Sequence, residues 1–127
     1  MQAKDFIAPN FTHQFVGKKV TSTAPSNIAL VKYWGKYDQQ LPTNASISFT
    51  LNNCKTITEI HLEETNTTKD FNFQVYLDGK LRQEFKPKIE SFLKKIDVYS
   101  PFLKHYQFSI HTKNTFPHSS GIASSAS

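Results

Sequence analysis

Two stretches of strict alternation bracket one helical period, and this limits the fold more than any other feature. Phe71, Phe73, Val75 and Leu77 recur at every second position, which places them on one face of a strand. Asp78-Gly79 follows, a pair suited to a tight hairpin because both central positions need positive φ. Residues 81–85 then read as the returning strand. Over 86–99 the period changes. Ile89, Phe92, Leu93 and Ile96 fall at i, i+3, i+4, i+7, with Lys88, Glu90, Lys94, Lys95 and Asp97 elsewhere, the pattern of an amphipathic helix. Ser100-Pro101 marks its end. Residues 105–113 alternate again, with Tyr106, Phe108 and Ile110 inward and His105, Gln107, Ser109, His111 and Lys113 outward. His105 and His111 share that outer face, but a metal site needs a further ligand and none is recognisable nearby, so they read as surface histidines.

Upstream the text is mostly β-prone. Residues 1–19 are unpatterned and read as a loosely ordered arm or an initial edge strand. Val20 to Pro25 leads into Asn27-Ile28-Ala29-Leu30-Val31, a short apolar run expected of an interior strand covered on both sides. Leu41-Pro42-Thr43-Asn44 is turn material. Residues 46–51 and 56–62 read as two strands joined at Asn52-Asn53, and 65–70 as a polar turn. Strands followed by a helix, a strand and the start of a second helix predict an α+β fold, a mainly antiparallel sheet with helices on one face, rather than repeating βαβ units.

A length of 127 residues allows one domain with a real core, and eleven Phe supply it. No apolar run is long enough to span a bilayer. The start of the chain lacks the apolar region of a signal peptide, and the single cysteine, Cys54, reads as a reduced, part-buried side chain. Cytoplasmic localisation is therefore expected. Residues 1–79 carry seven basic and seven acidic groups, whereas 80–113 carry eight and three, which supplies the whole net charge of +5. Such a patch could meet nucleic acid, but a solvated helix face is the favoured reading.

Two segments carry chemistry. Phe116-Pro117-His118-Ser119-Ser120-Gly121-Ile122-Ala123-Ser124-Ser125-Ala126-Ser127 follows a strand and reads as a glycine-containing, hydroxyl-rich loop opening a helix. Helix N-termini offer unpaired N–H groups and partial positive charge to a phosphate. On composition alone the same residues fit a flexible tail. The second segment, Lys32-Tyr33-Trp34-Gly35-Lys36-Tyr37-Asp38, crowds cations and aromatics around one glycine. Taken singly these would be core aromatics and surface charges.

Taken together, Ala24 to Asp38 continuing through Leu41 to Ser48 resembles the N-terminal signature of diphosphomevalonate decarboxylases. The Pro117 to Ser127 loop resembles the phosphate-binding motif of the wider GHMP kinase superfamily. The resemblance covers residues 20–60 and 105–127. It implies a GHMP kinase N-terminal domain (ribosomal protein S5 domain 2-like), with 1–127 an incomplete N-terminal part whose C-terminal portion is absent. It further implies an ATP- and Mg²⁺-dependent enzyme that phosphorylates the tertiary hydroxyl of mevalonate 5-diphosphate and eliminates phosphate and carbon dioxide to give isopentenyl diphosphate. Tyr33, Trp34 and Lys36 match positions that contact the substrate's diphosphate. Lys32 matches an active-site lysine near the hydroxyl or transferring phosphate, and Asn27 an asparagine that orients substrate. Ser125 and Ser127 match serines contacting substrate phosphate. His118, Ser119, Ser120, Gly121, Ile122, Ala123 and Ser124 would line the ATP phosphates. No resident metal ligand, nucleic-acid partner or membrane contact is implied, and a homodimer of the full-length enzyme is left open.

Two departures stand out. Many relatives have Pro-Thr-Ala-Ala-Gly where this chain has Pro117-His118-Ser119-Ser120-Gly121, which leaves open a monophosphate or another mevalonate derivative as substrate, for a decarboxylase or a small-molecule kinase. The family's catalytic Asp, and the Arg that holds the substrate carboxylate, would lie beyond Ser127. The segment alone is expected to be inactive as a decarboxylase and poorly soluble. From a different class, a small basic nucleic-acid-binding module remains the competing reading, although the strand aromatics align on the expected core face rather than on an open one.

Overall fold

The computed structural model describes residues 2–38, 41–67 and 69–117. Among the described residues there are three short 3₁₀ turns, and the strands and the helix follow in the order β1 (Lys19–Val31), β2 (Lys36–Tyr37), β3 (Leu41–Pro42), β4 (Ile47–Glu64), β5 (Asn72–Leu77), β6 (Lys80–Leu81), α1 (Lys86–Ile96) and β7 (Tyr106–Asn114). Five strands form one sheet in the order β1-β4-β7-β5-β6, and β2 and β3 form a separate ribbon. Lys18 and Gly17 bond to Leu62, and Thr21 reaches Glu59. Position numbers thus climb on β1 as they fall on β4, the mark of an antiparallel pair. β4 and β7 are antiparallel by the same criterion, with Thr58 meeting Thr112 and Thr56 meeting Asn114. β5 and β7 are parallel, Phe73 opposite Phe108 and Val75 opposite Ile110. The expected α+β fold is present, with one β-α-β crossover inside it, β5 to β7 by way of α1.

The chain divides into two compact units: Met1–Ser22 with Thr58–Lys113, and Thr23–Ile57 with Asn114–Ser127. The first contains the hydrophobic core. Leu62, Phe71, Phe73, Val75, Leu93, Tyr106 and Phe108 are buried together, with Ile60, Ile89, Ile96 and Ile110 packed against them. The alternation of β5 and β7 is realised: Phe73 stacks on Phe108 at 5.6 Å between centroids. The Asp78-Gly79 turn has φ of 50° and 75° and pairs Leu77 with Lys80, the primed geometry whose twist suits a hairpin. Only Lys80 and Leu81 return as strand, however. Residues 83–85 turn into a 3₁₀ segment, which brings the half-buried Phe85 against the core and leads directly into α1 at Pro87, where a missing N–H costs nothing.

The helix is shorter than its pattern, ending at Ile96, and Phe92 is exposed while Leu93 is buried. Successive residues are about 100° apart around a helix, so a stripe centred on Ile89, Leu93 and Ile96 leaves Phe92 at its rim. The lysines behave as a solvated face. Lys88, Lys94 and Lys95 are exposed, and Lys94 pairs with Glu90 at 2.7 Å, one turn away. That contact holds the Glu90 carboxyl below and the Lys94 ammonium above their usual ranges.

The arm before β1 is not an edge strand, nor is all of it loose. Phe11 and Phe15 form an edge-to-face cluster with Phe102. The Tyr106 hydroxyl donates to the Phe11 carbonyl at 2.9 Å and accepts from the Phe15 N–H at 3.3 Å. Tyr106 has no solvent exposure, so Tyr106→Phe leaves two backbone groups without this partner. A loss of about 1–2 kcal/mol in urea denaturation is expected, and an unchanged midpoint would contradict the role given to the hydroxyl.

On the opposite face of this unit's sheet, His111 stacks against Tyr76 at 4.6 Å and lies tilted against His61 at 4.8 Å. His105 belongs to the 3₁₀ turn before β7, not to the strand. No group of three or more His, Cys, Asp or Glu able to hold a metal occurs among the described residues. His61 donates to the Glu59 carboxylate. That hydrogen bond, with further attraction from His61 and Lys19 and a bond from the Thr21 hydroxyl, holds the Glu59 carboxyl below its ordinary range. A lowered carboxyl stabilises the fold above its unfolded value, about 4.3, and this is lost as pH falls through the depressed folded value. Glu59→Gln should flatten the fall of the denaturation midpoint between about pH 5 and 3; parallel curves for the two proteins would count against it.

The second unit buries little. Ser26, Thr56 and Phe116 are its buried residues among those described. The run 27–31 is not a covered interior strand. It is the end of β1, an edge strand, and Leu30 is 63% exposed. Pro25 fits this position because an edge strand need not use every N–H. The two strands expected at 46–51 and 56–62 are one continuous strand, β4. Its polar middle stays extended because Thr115 supplies partners there. The Thr115 hydroxyl donates to the Asn53 carbonyl at 2.8 Å and accepts from the Lys55 N–H at 2.9 Å, and the Thr115 N–H donates to the Lys55 carbonyl at 2.9 Å.

Candidate functional site

At Val31 the edge strand runs out into Lys32-Tyr33-Trp34-Gly35, which is not strand and must satisfy its peptide groups in another way. The partners come from Thr43 and Asn44. The Trp34 N–H donates to Asn44 Oδ1 at 2.7 Å, and Asn44 Nδ2 donates to the Ala45 carbonyl at 2.9 Å and, at a long 3.5 Å, to the Lys32 carbonyl. The Gly35 carbonyl accepts both the N–H and the hydroxyl of Thr43, each at 3.0 Å. Beyond Gly35, β2 pairs with β3 in the register Lys36 with Pro42 and Tyr37 with Leu41. The segment expected as a turn at 41–44 is therefore half of a small ribbon and its clamp. Asp38, at φ 47°, turns the chain out of β2, a conformation that Asp tolerates better than most residues.

The side chains on this pinned backbone face outward. Lys32, Tyr33 and Lys36 are exposed, and Trp34 is 94% exposed, so neither aromatic is a core residue. Lys36 Nζ lies 5.5 Å from the centre of the Tyr33 ring, a cation–π distance that orients ammonium and phenol together. Asn27 is exposed on β1, next to the buried Ser26. Asn27, Lys32, Tyr33, Trp34 and Lys36 are thus brought onto one strand end and the loop that leaves it. The sequence reading gave Thr43 and Asn44 no role of their own. Their signal was a Thr-Asn pair closing a Gly-containing loop, since Asn side chains readily substitute for backbone partners.

His118, Ser119, Ser120, Gly121, Ile122, Ala123, Ser124, Ser125 and Ser127 lie outside the described residues. The chain leading to them is held by the Thr115 bonds to β4 and by the buried Phe116. An open depression of about 500 Å³ on α1, lined by Pro87, Glu90, Ser91, Lys94 and Lys95, contains none of the residues picked from the sequence. Of the aromatics of β5 and β7, which a single-strand-binding sheet would display, Phe73, Tyr106 and Phe108 are buried, and Tyr76 is half-buried against His111.

A family profile described as the diphosphomevalonate decarboxylase-like N-terminal domain matches residues 24–127. The chain belongs to this family. The diphosphomevalonate decarboxylase of Bos taurus is 34% identical over 125 residues, covering 84% of this chain and 30% of its own length. Among solved structures, the mevalonate diphosphate decarboxylase from Staphylococcus aureus superposes with a TM-score of 0.68 at 31% identity, over 86% of this chain and 32% of its own. MDDEF in complex with MVAPP, AMPPCP and magnesium gives a TM-score of 0.67 at 29% identity, over 86% and 32%. This chain therefore spans about a third of the relatives it matches. The pinned loop and its Asn44 clamp lie wholly inside the matched region of this decarboxylase-like N-terminal domain.

Proposed function

We propose that this chain is the N-terminal part of an ATP- and Mg²⁺-dependent decarboxylase acting on mevalonate 5-diphosphate. The products would be isopentenyl diphosphate, ADP, phosphate and carbon dioxide. The observation that carries this reading is the loop 32–36: two lysines, a phenol and an almost fully exposed indole on a backbone held by Asn44, within the matched region. A diphosphate group asks for fixed cations and hydroxyl donors, and this loop offers both. MDDEF, similar in fold, is bound to MVAPP, AMPPCP and magnesium, which supports an organic diphosphate, a nucleotide and Mg²⁺ as the ligands here.

In this reading Tyr33, Trp34 and Lys36 bind the diphosphate end of the substrate, Asn27 orients it, and Lys32 stands near the tertiary hydroxyl or the phosphate being transferred. Ser125 and Ser127 contact substrate, and residues 118–124 line the nucleotide phosphates. ATP supplies the phosphoryl group that makes the tertiary hydroxyl oxygen a leaving group. The bond from that oxygen to carbon then breaks as carbon dioxide departs, and the electron pair of the lost carboxylate bond becomes the new double bond. Mg²⁺ in this account would be held largely by phosphate oxygens and water. Lys32 and Lys36 would share in neutralising charge on the phosphates. The whole enzyme acts in the cytoplasm on small molecules in this account, with the remainder of its site contributed by chain beyond residue 127.

Trp34 is the single tryptophan, so selectively excited tryptophan emission reads this loop alone. Mevalonate 5-diphosphate should change its emission saturably, and mevalonate should not. Equal responses to the two compounds, or no response to either, would overturn the reading. The 127-residue chain itself is expected to release no carbon dioxide, and detection of isopentenyl diphosphate would show that its site is already complete.

A further inference from the structure

We infer that Asn44 is the positioning residue of the diphosphate-binding loop and that Thr43 is its companion, an inference that rests on the function proposed above. Residues 32–35 have no strand partner, yet one side chain meets a polar atom of each peptide group flanking Tyr33, the Lys32 carbonyl before it and the Trp34 N–H after it. Asn44 accepts from the Trp34 N–H at 2.7 Å and donates toward the Lys32 carbonyl at 3.5 Å while holding the Ala45 carbonyl at 2.9 Å. The task requires an acceptor and a donor on one short side chain. Aspartate supplies only acceptors and would set a charge against two carbonyl oxygens, and alanine supplies neither. Thr43 does the corresponding work at Gly35, placing two donors on one carbonyl.

The result is an ordered backbone with solvent-facing side chains. Tyr33 and Lys36 already lie against each other at 5.5 Å, and Trp34 stands 94% exposed although its N–H is fixed. The backbone share of the conformational cost of arranging these groups for a diphosphate is thus met on folding rather than on binding, which raises affinity without any new contact to the ligand. Neither Asn44 nor Thr43 needs to touch substrate for this. Both act through the residues that do.

The test uses the 127-residue chain, with Trp34 fluorescence under mevalonate 5-diphosphate titration and hydrogen exchange at the Trp34 amide as separate readouts. Asn44→Ala and Asn44→Asp should each weaken diphosphate binding about tenfold, and Asn44→Ala should also speed Trp34 exchange. Thr43→Ser, which keeps the hydroxyl donor, should bind within about twofold of wild type, whereas Thr43→Val should lose about fivefold. That contrast does not depend on whether an Asn44 variant folds. If wild type binds and both Asn44→Ala and Thr43→Val bind as tightly, with Trp34 exchange unchanged in Asn44→Ala, the positioning role is overturned and the proposed function stands. A wild-type chain that ignores diphosphate overturns both.

Discussion

Phe73→Ala is expected to cost the first unit about 3–5 kcal/mol, the largest stability effect of any substitution considered. Phe73 is 1% exposed, stacks on Phe108 across the parallel β5–β7 pair, and carries Lys86 Nζ at 5.6 Å from its ring. Truncation removes the ring's transfer energy and opens a cavity between strands already paired, with little freedom to collapse. Since small domains are stable by only about 5–15 kcal/mol, the unfolding midpoint should fall steeply or the cooperative transition should vanish. Phe92→Ala is the control. That ring is exposed on α1, and its loss should move stability by about 0.5 kcal/mol or less. Equal midpoints for the two variants would mean that the core is not where the burial places it.

Lys36→Ala is expected to weaken mevalonate 5-diphosphate binding by about ten- to a hundredfold, the range for losing one charge-assisted hydrogen bond to an anion. The effect should shrink at high salt because the group is exposed and its field is screened. Lys36→Arg should recover only part of the loss, since a planar fork does not reproduce the point charge and ring contact of an ammonium above Tyr33. Lys95→Ala, which removes an exposed helix charge, should leave affinity unchanged. A shared loss for Lys36 and Lys95 would point to general attraction by net charge rather than to a site.

Periodicity made the first unit readable. Phe71, Phe73, Val75 and Leu77 are all buried, as a period of two with one apolar face requires, and the Asp-Gly turn falls where its φ preference puts it. The differences there are local: the helical period puts Phe92 in the core stripe although it is exposed, and residues 81–85 read as strand although only Leu81 is. In both cases packing against the helix side decided the outcome, which a window of sequence cannot contain. The second unit was harder. Asn52-Asn53 looks like a connection but stays in β4 because Thr115, 62 residues beyond Asn53, bonds to the Asn53 carbonyl. The apolar run 27–31 looks interior, yet it lies on an exposed edge.

The candidate site was legible as a string, not as a geometry. Lys32, Tyr33, Trp34 and Lys36 stand out as residue types, and the exposure of Trp34 separates them from ordinary core aromatics. The clamp was invisible for a physical reason. Asn44 acts through backbone atoms ten and twelve residues earlier, contacts that have no periodicity and leave only the turn-like Pro-Thr-Asn text.

The most direct measurement is amide chemical-shift mapping of the ¹⁵N-labelled chain titrated with mevalonate 5-diphosphate. If the lysine–aromatic loop is the anion site, the largest saturating shifts fall at Tyr33, Trp34 and Lys36, with Asn44 following. Shifts spread instead along Lys86 to Lys95 of α1, or absent at Tyr33 to Lys36 while the ligand binds, would contradict it.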